Sequence, residues 1–394
     1  MKHLNICNIY IAFWCLYYLQ GTVYKAGSII SQTLLIFNLL ISIYYAIYAY
    51  RKYRFSAYLK GLTVLILLFT IYGSELIISG DVLYKHHYTS NIVGNFTYIK
   101  SIFISLLPIY PFYVFSMKGM LTEKTIRRWT FFFLIVATCS YYNYERQAIL
   151  ASNALDPEEE EFTNNIGYVF LTLLPLVFFF RKKVFLQYAI LAYILLYIIM
   201  GMKRGAILIA GISLPFFLYS TFKNSSRKLK FQIGFFSISL IVAIYIVIQY
   251  YLDTSEYFNY RLQSTLSGES SGRNIIYTTL LTQFLNDTTP LQFFFGRGAC
   301  ATLKYFGQYA HNDWLEIAIN QGVLGIAVYI TYFYCFIKTW RFSFSRRSIQ
   351  YSVVGLILLI CLIKSFFSMS YEDMGFYMTC TLGYSLAYSE KKIK

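Results

Sequence analysis

The chain has 394 residues, 57% hydrophobic and only 13% charged, with 40 Tyr and 36 Phe. Soluble domains carry about 25% charged residues, so the composition excludes a soluble globule and points to an all-α, polytopic membrane protein. The formal charge of +16 could suit nucleic acid, but that use needs a basic patch on a soluble domain, and no stretch of that size is polar enough.

A bilayer crossing needs about 20 mostly apolar residues. Twelve stretches fit, near 4–19, 28–50, 58–79, 101–117, 129–143, 165–180, 184–202, 205–221, 231–252, 313–337, 350–370 and 375–389. The first resembles a secretory leader, but YYLQGTV offers no small-x-small cleavage site, so a retained anchor is expected. RKYR (51–54), KGMLTEKTIRR (118–128), RKK (181–183), KNSSRKLK (223–230), KTWRFSFSRR (338–347) and the tail SEKKIK follow alternate spans. Placing these on the cytoplasmic side, with Lys2 and Lys60, gathers 23 of the 34 Lys and Arg there, which predicts both termini in the cytoplasm. Residues 1–394 then form one integral membrane domain with two long extracytoplasmic loops, 143–164 and 253–312. Six of the seven cysteines fall within spans, leaving Cys300 alone outside, so a disulfide framework is not expected.

The first loop contains LDPEEEEF, whose adjacent glutamates repel one another and are expected to be a solvated, mobile face. No D-x-D pair occurs in the chain, which disfavours a metal-dependent transferase gripping a nucleotide sugar; no metal is expected. The second loop is long enough to suggest a working segment. After the flexible SGESSG (267–272), RNIIYTTLLTQFLN predicts a helix with Ile276, Leu280, Leu281, Phe284 and Leu285 on one face. Arg273 would start that helix, where the dipole is already positive; a bound anion would resolve the conflict. Lys203 and Arg204 of GMKRGA (201–206) oppose the positive-inside pattern, and either interfacial snorkelling or an anionic substrate accounts for them. Arg297 lies between the glycines of FGRGA (295–299), a weak phosphate signal alone.

HNDWLE (311–316) opens the tenth span. Asp313 and Glu316 have capping-box spacing, with His311 just outside the first turn. The helix N-terminus favours a neutral imidazole, and the two carboxylates could fix its tautomer, so His311 is the candidate general base. His3, His86 and His87 lack that setting and are expected at solvent or interface positions. Glu75 and Lys364 could fall at similar depth and pair. Tyr305, Tyr309 and Trp314 suit either sugar stacking or interface anchoring.

On MKRGA, SSGRNIIY and HNDWLEIAINQGVLG, in that order and topology, the chain resembles the O-antigen ligase and polymerase superfamily of bacterial envelope enzymes. The resemblance implies a GT-C-like architecture in the bacterial inner membrane and glycosyl transfer on its outer leaflet. His311 would activate the acceptor, and Arg204 and Arg273 would bind the diphosphate of an undecaprenyl-diphosphate-linked oligosaccharide; from the local reading Arg297 joins them as a diphosphate-binding candidate, with Asp313 and Glu316 in support. Lys203 stands where the family often has a small hydroxyl residue and Gln321 where an acid is common, so neither is carried over. The chain lacks a GxxxxGK[ST] loop, and an outward site needs a donor that arrives activated; no cofactor is expected. A polysaccharide polymerase is favoured, because abundant Ile, Tyr, Phe, Asn and Lys suggest AT-rich serotype-specific coding. A ligase acting on lipid A-core and a lipid-linked oligosaccharide flippase are the alternatives. Expected partners are membrane lipid and a chain-length regulator, with no nucleic acid.

Overall fold

Short polar residues between the apolar runs set where helices begin. Asn5, Ser28, Ser56, Asn312 and Ser348 each accept, through the side chain, a backbone N–H two or three residues ahead, satisfying donors that the first helical turn leaves open. The computed structural model describes residues 5–80, 83–84, 92–93, 95–155, 164–267, 273–307, 309–346, 348–371 and 374–393.

In chain order come α1 (Ile6–Tyr18), α2 (Ile29–Lys52) and α3 (Ala57–Ser79), then a two-residue antiparallel pairing of β1 (Leu83–Tyr84) with β2 (Ile92–Val93), Leu83 opposite Val93. Next are α4 (Phe96–Leu106), α5 (Ile109–Met117), α6 (Glu123–Leu155), α7 (Gly167–Leu173) with its 3-10 continuation Leu174–Phe180, α8 (Val184–Met200), α9 (Arg204–Lys223) and α10 (Arg227–Thr254). Four shorter helices follow: α11 (Glu256–Leu266), α12 (Arg273–Asn286), α13 (Pro290–Phe295) and α14 (Ala301–Phe306). The chain closes with α15 (Asp313–Ser343), α16 (Ile349–Phe367) and α17 (Phe376–Ile393).

Helix runs through each of the twelve predicted intervals, but by length and composition seven helices qualify as membrane crossings among the described residues. These are α2, α3, the α4–α5 unit, α9, α10, α15 and α16. Three more, α1, α7 with its continuation, and α8, are apolar but shorter. The protein is therefore a multi-helix membrane protein. Its rim fits that solvent: only 11% of the apolar window of α10 and 22% of that of α2 is buried, an exposure of Phe, Ile and Tyr suited to hydrocarbon rather than water.

Inside the rim, α17 packs on α5, α15 on α3, and α16 on α9, α15 and α17. Buried aromatics fill the centre, with Phe376 stacked on Trp14 and touching Phe112 and Phe133. Both predicted loops prove more helical than their polarity suggested. Helix α6 continues to Leu155, through the first half of 143–164; Glu158–Glu161 lie outside the described residues, as does 268–272 of the SGESSG segment. In the second loop α12 turns Ile276, Leu280 and Phe284 inward onto Ala301, Ala310, Leu315 and Ile319. Leu281 and Leu285, expected on that face, are exposed, because a four-residue spacing keeps a narrower stripe in contact than the five apolar residues implied.

Candidate active site

The C-terminal turn of α16 is where distant parts of the chain meet. A helix end leaves carbonyls without intrahelical donors. Here Arg273 Nη1 donates to the Phe367 carbonyl at 3.2 Å and Asn312 Nδ2 to the Phe366 carbonyl at 3.3 Å. One turn into α12, the Tyr277 hydroxyl reaches the His311 carbonyl at 3.5 Å. Arg273 and His311, 38 positions apart in sequence, thus share one corner. The misplaced charge of Arg273 also finds a protein answer: the arginine begins its own helix but sits at the negative end of α16, so the expected need for a bound anion is met in part by that dipole.

His311 is exposed, and its φ of 51° is left-handed. Met202, Cys300 and His311 are the non-glycine residues with positive φ among those described; Met202 immediately precedes Lys203-Arg204. Such conformations cost a residue with a β-carbon about 1–3 kcal/mol and cluster at functional sites. The N-cap of α15 is Asn312, whose Oδ1 accepts from the N–H groups of Trp314 and Leu315 at 2.9 and 3.2 Å. This corrects the Asp313–Glu316 capping box.

The two carboxylates are structural. Asp313 is fully buried and accepts from the Ser370 N–H at 2.9 and 3.0 Å and from the Tyr329 hydroxyl. Glu316, 1% exposed, accepts from the Ala310 N–H at 2.8 Å, from Asn320 Nδ2 at 3.1 Å and from the Thr302 hydroxyl. A buried carboxylate is tolerated when its lone pairs are filled in this way. Asp313 ties α15 to the segment after α16, and Glu316 ties it to the backbone just before His311. They hold the histidine's chain; their hydrogen bonds run elsewhere than to its ring.

Arg204 starts α9, a helix that no side chain caps. Arg204 borders a largely apolar cavity of about 270 Å³ with Ile199, Ile207, Leu208, Ile248, Phe258 and Leu262. Gly205 is required beside it, since a Cβ there would collide with the Tyr168 hydroxyl. The Tyr168 ring in turn carries Lys364 Nζ at 5.0 Å. Lys364 is 4% exposed in the last turn of α16 and acts electrostatically on Asp313. A line of contacts, Gly205 to Tyr168 to Lys364, therefore joins the start of α9 to the corner holding Arg273 and His311.

The remaining expectations fare differently. Arg297 donates from Nη2 to the Gln283 carbonyl at 3.3 Å and lies over the Tyr305 ring. Gln283 is ten residues beyond Arg273 on α12, about 15 Å along the axis, so Arg297 stands apart from the Arg273–His311 corner. The segment 295–299 instead docks on a break in α15: the Arg297 and Gly298 N–H groups donate to the Ile319 and Asn320 carbonyls at 2.9 and 3.1 Å. Gly322 leaves helical geometry at φ 64°, ψ −158°. Glu75 does not pair with Lys364. It lies exposed on a groove of α3, 3.2 Å from where a Cβ of Gly298 would sit. Trp314 is occupied by packing, stacked between Phe333 and Phe366 with its N–H on Ser365 Oγ at 3.1 Å. His3, His86 and His87 lie outside the described residues.

Sequence reasoning paired Lys364 with Glu75, which lies elsewhere, and missed Tyr168 altogether. A buried lysine near the end of an apolar helix was the available signal; nothing in the sequence distinguished Tyr168 from 39 other tyrosines. No family model matches the chain, and no curated protein matches it.

Proposed function

We propose that the chain is a metal-independent glycosyltransferase of the outer membrane face, crossing the membrane twelve times with both termini in the cytoplasm. Specifically, it polymerises a polysaccharide, moving a growing glycan from undecaprenyl diphosphate to the non-reducing-end hydroxyl of a lipid-linked repeat unit. The observation that carries this reading is the meeting of Arg273 and His311 at the end of α16. An exposed histidine and an arginine held at one helix end suit a reaction that removes a proton at one point and releases an anion at another.

In the proposed step His311 takes the proton of the acceptor hydroxyl, whose oxygen bonds to the anomeric carbon. The bond from that carbon to the diphosphate oxygen breaks, and its electron pair leaves with the diphosphate. Arg273 and Arg204 stabilise the growing charge, as positioned cations do, aided by the uncapped N-terminus of α9. The apolar cavity beside Arg204 offers room for the first isoprene units. Arg297, committed to Gln283 and Tyr305, has no part in this step. A positioned base contributes about 10²–10⁴ in rate, or about 3–5 kcal/mol.

The test is reconstitution of the purified chain with lipid-diphosphate-linked repeat units alone, with a chelator present. A ladder of products is expected, and it disappears in His311→Ala while the protein remains in the membrane. Transfer only when a lipid A-core acceptor is added makes the chain a ligase; translocation without bond formation makes it a flippase. A normal ladder from His311→Ala overturns the base.

A further inference from the structure

A second polar cluster lies at the opposite end of the bundle. Helix α17 starts six residues after Ser370, the partner of Asp313, and ends beside this cluster, while Thr339 Oγ1 near the end of α15 accepts the Tyr58 N–H at 2.9 Å. The adjoining ends of α2 and α5 bring two ammonium groups to one ring. Lys118 Nζ stands 4.4 Å from the centroid of Tyr48 and 5.7 Å from that of Tyr45, and Lys52 Nζ stands 5.5 Å from Tyr48. Neither ammonium has a carboxylate partner among the described residues. Arg51 and Arg54 lie exposed beside Lys52. Lys391 of α17 donates to the Ser116 carbonyl at the same corner. The carboxylate there, Glu390, accepts from the Tyr113 hydroxyl. Two like charges on one ring repel unless an anion joins them.

The surroundings say what kind of anion. Tyr44, Ile47 and Tyr50, on the last turns of α2, are all more than half exposed, and α2 is one of the helices apolar enough to lie in a bilayer. A ligand seated here meets paired ammonium groups at its head and an apolar helix face along its length. We infer that Lys52, Lys118 and Tyr48 form a binding site for an anionic glycerophospholipid, with the phosphate between the two lysines and an acyl chain against Tyr44 and Ile47. Basic pockets between membrane helices recognise acidic headgroups in this way, and the four-carbon lysine stems let both ammonium groups close on one phosphate.

The full-length protein in nanodiscs of phosphatidylcholine doped with phosphatidylglycerol tests the site by native mass spectrometry of retained lipid. Phosphatidylglycerol is expected to be enriched over phosphatidylcholine. The enrichment falls about fivefold for each lysine removed in Lys52→Gln and Lys118→Gln. Arg51→Gln, with its guanidinium away from the Tyr48 ring, changes it less. Each single variant keeps the other lysine at its helix end, so the comparison survives if the double variant fails to insert. Equal retention of both lipids, or unchanged enrichment in both lysine variants, overturns the inference. Loss of bound lipid on adding millimolar inorganic phosphate makes this a free-anion site and equally overturns it. None of these readouts depends on glycosyl transfer.

Discussion

His311 joins exposure to a left-handed backbone, and both properties bear on what substitution does. Left-handed φ is no burden for glycine, so His311→Gly is expected to keep or raise the temperature of thermal unfolding while abolishing the proposed turnover. Unfolding followed in detergent beside product formation separates the two effects, and a clear loss of stability would mean that the ring is a packing element. Lys364 belongs to the same scale. It is buried against Tyr168, and Tyr168 covers Gly205 beside Arg204, so in the proposed reaction Lys364 would position the start of α9. Lys364→Met should raise the KM for the lipid donor about tenfold, the worth of one charged contact, with a smaller change in kcat. Lys364→Arg should restore most of the loss; an unchanged KM in the methionine variant would detach Lys364 from the site.

At the scale of elements, the tenth predicted span is two helices in series. The break at Gly322 turns the Ile319 and Asn320 carbonyls toward 295–299, whose N–H groups pair with them. Close approach makes glycine necessary on both sides: a Cβ on Gly296 would collide with the Asn320 carbonyl, and one on Gly322 would lie 2.5 Å from the Gly296 nitrogen. Both residues also have positive φ. Gly296→Ala therefore combines overpacking with backbone strain and should destabilise by about 3 kcal/mol or more, read as a lower unfolding temperature. A neutral result would show that the docking of 295–299 contributes little. The first turn of α15 is held as firmly, by Asn312 on the turn's own N–H groups and the Phe366 carbonyl, Asp313 on Ser370 and Tyr329, and Glu316 on Ala310, Asn320 and Thr302. That turn carries the histidine, which explains why two acidic residues stand beside a candidate base without bonding to its ring.

At the scale of the whole molecule there are two polar regions: the His311 corner at the C-terminal turn of α16, and the basic corner where α2, α5 and α17 end. Single cysteines introduced at 54 and 118 should react with a membrane-impermeant thiol reagent only from the cytoplasmic side, and ones at 256 and 311 only from the opposite side. Labelling of 54 and 311 from the same face would overturn the proposed topology. The membrane class, the predominance of helix and the places of the long apolar helices were legible in the residues, because hydrophobic run length is a local property and a bilayer imposes a minimum length on each crossing; the helices of the two polar loops, α12 apart, were not. Spacing alone gives the cap to Asp313 and Glu316 rather than Asn312; Arg273 and His311 were visible as residues in unusual places for the same local reason. What they touch was not. Arg273 faces the α16 terminus, Asp313 bonds to Ser370, and Arg297 meets the Gln283 carbonyl, about 15 Å along α12 from where Arg273 starts it. These pairings join positions 14 to 94 residues apart, and only the packing of whole helices decides which distant carbonyl, ring or ammonium each side chain meets.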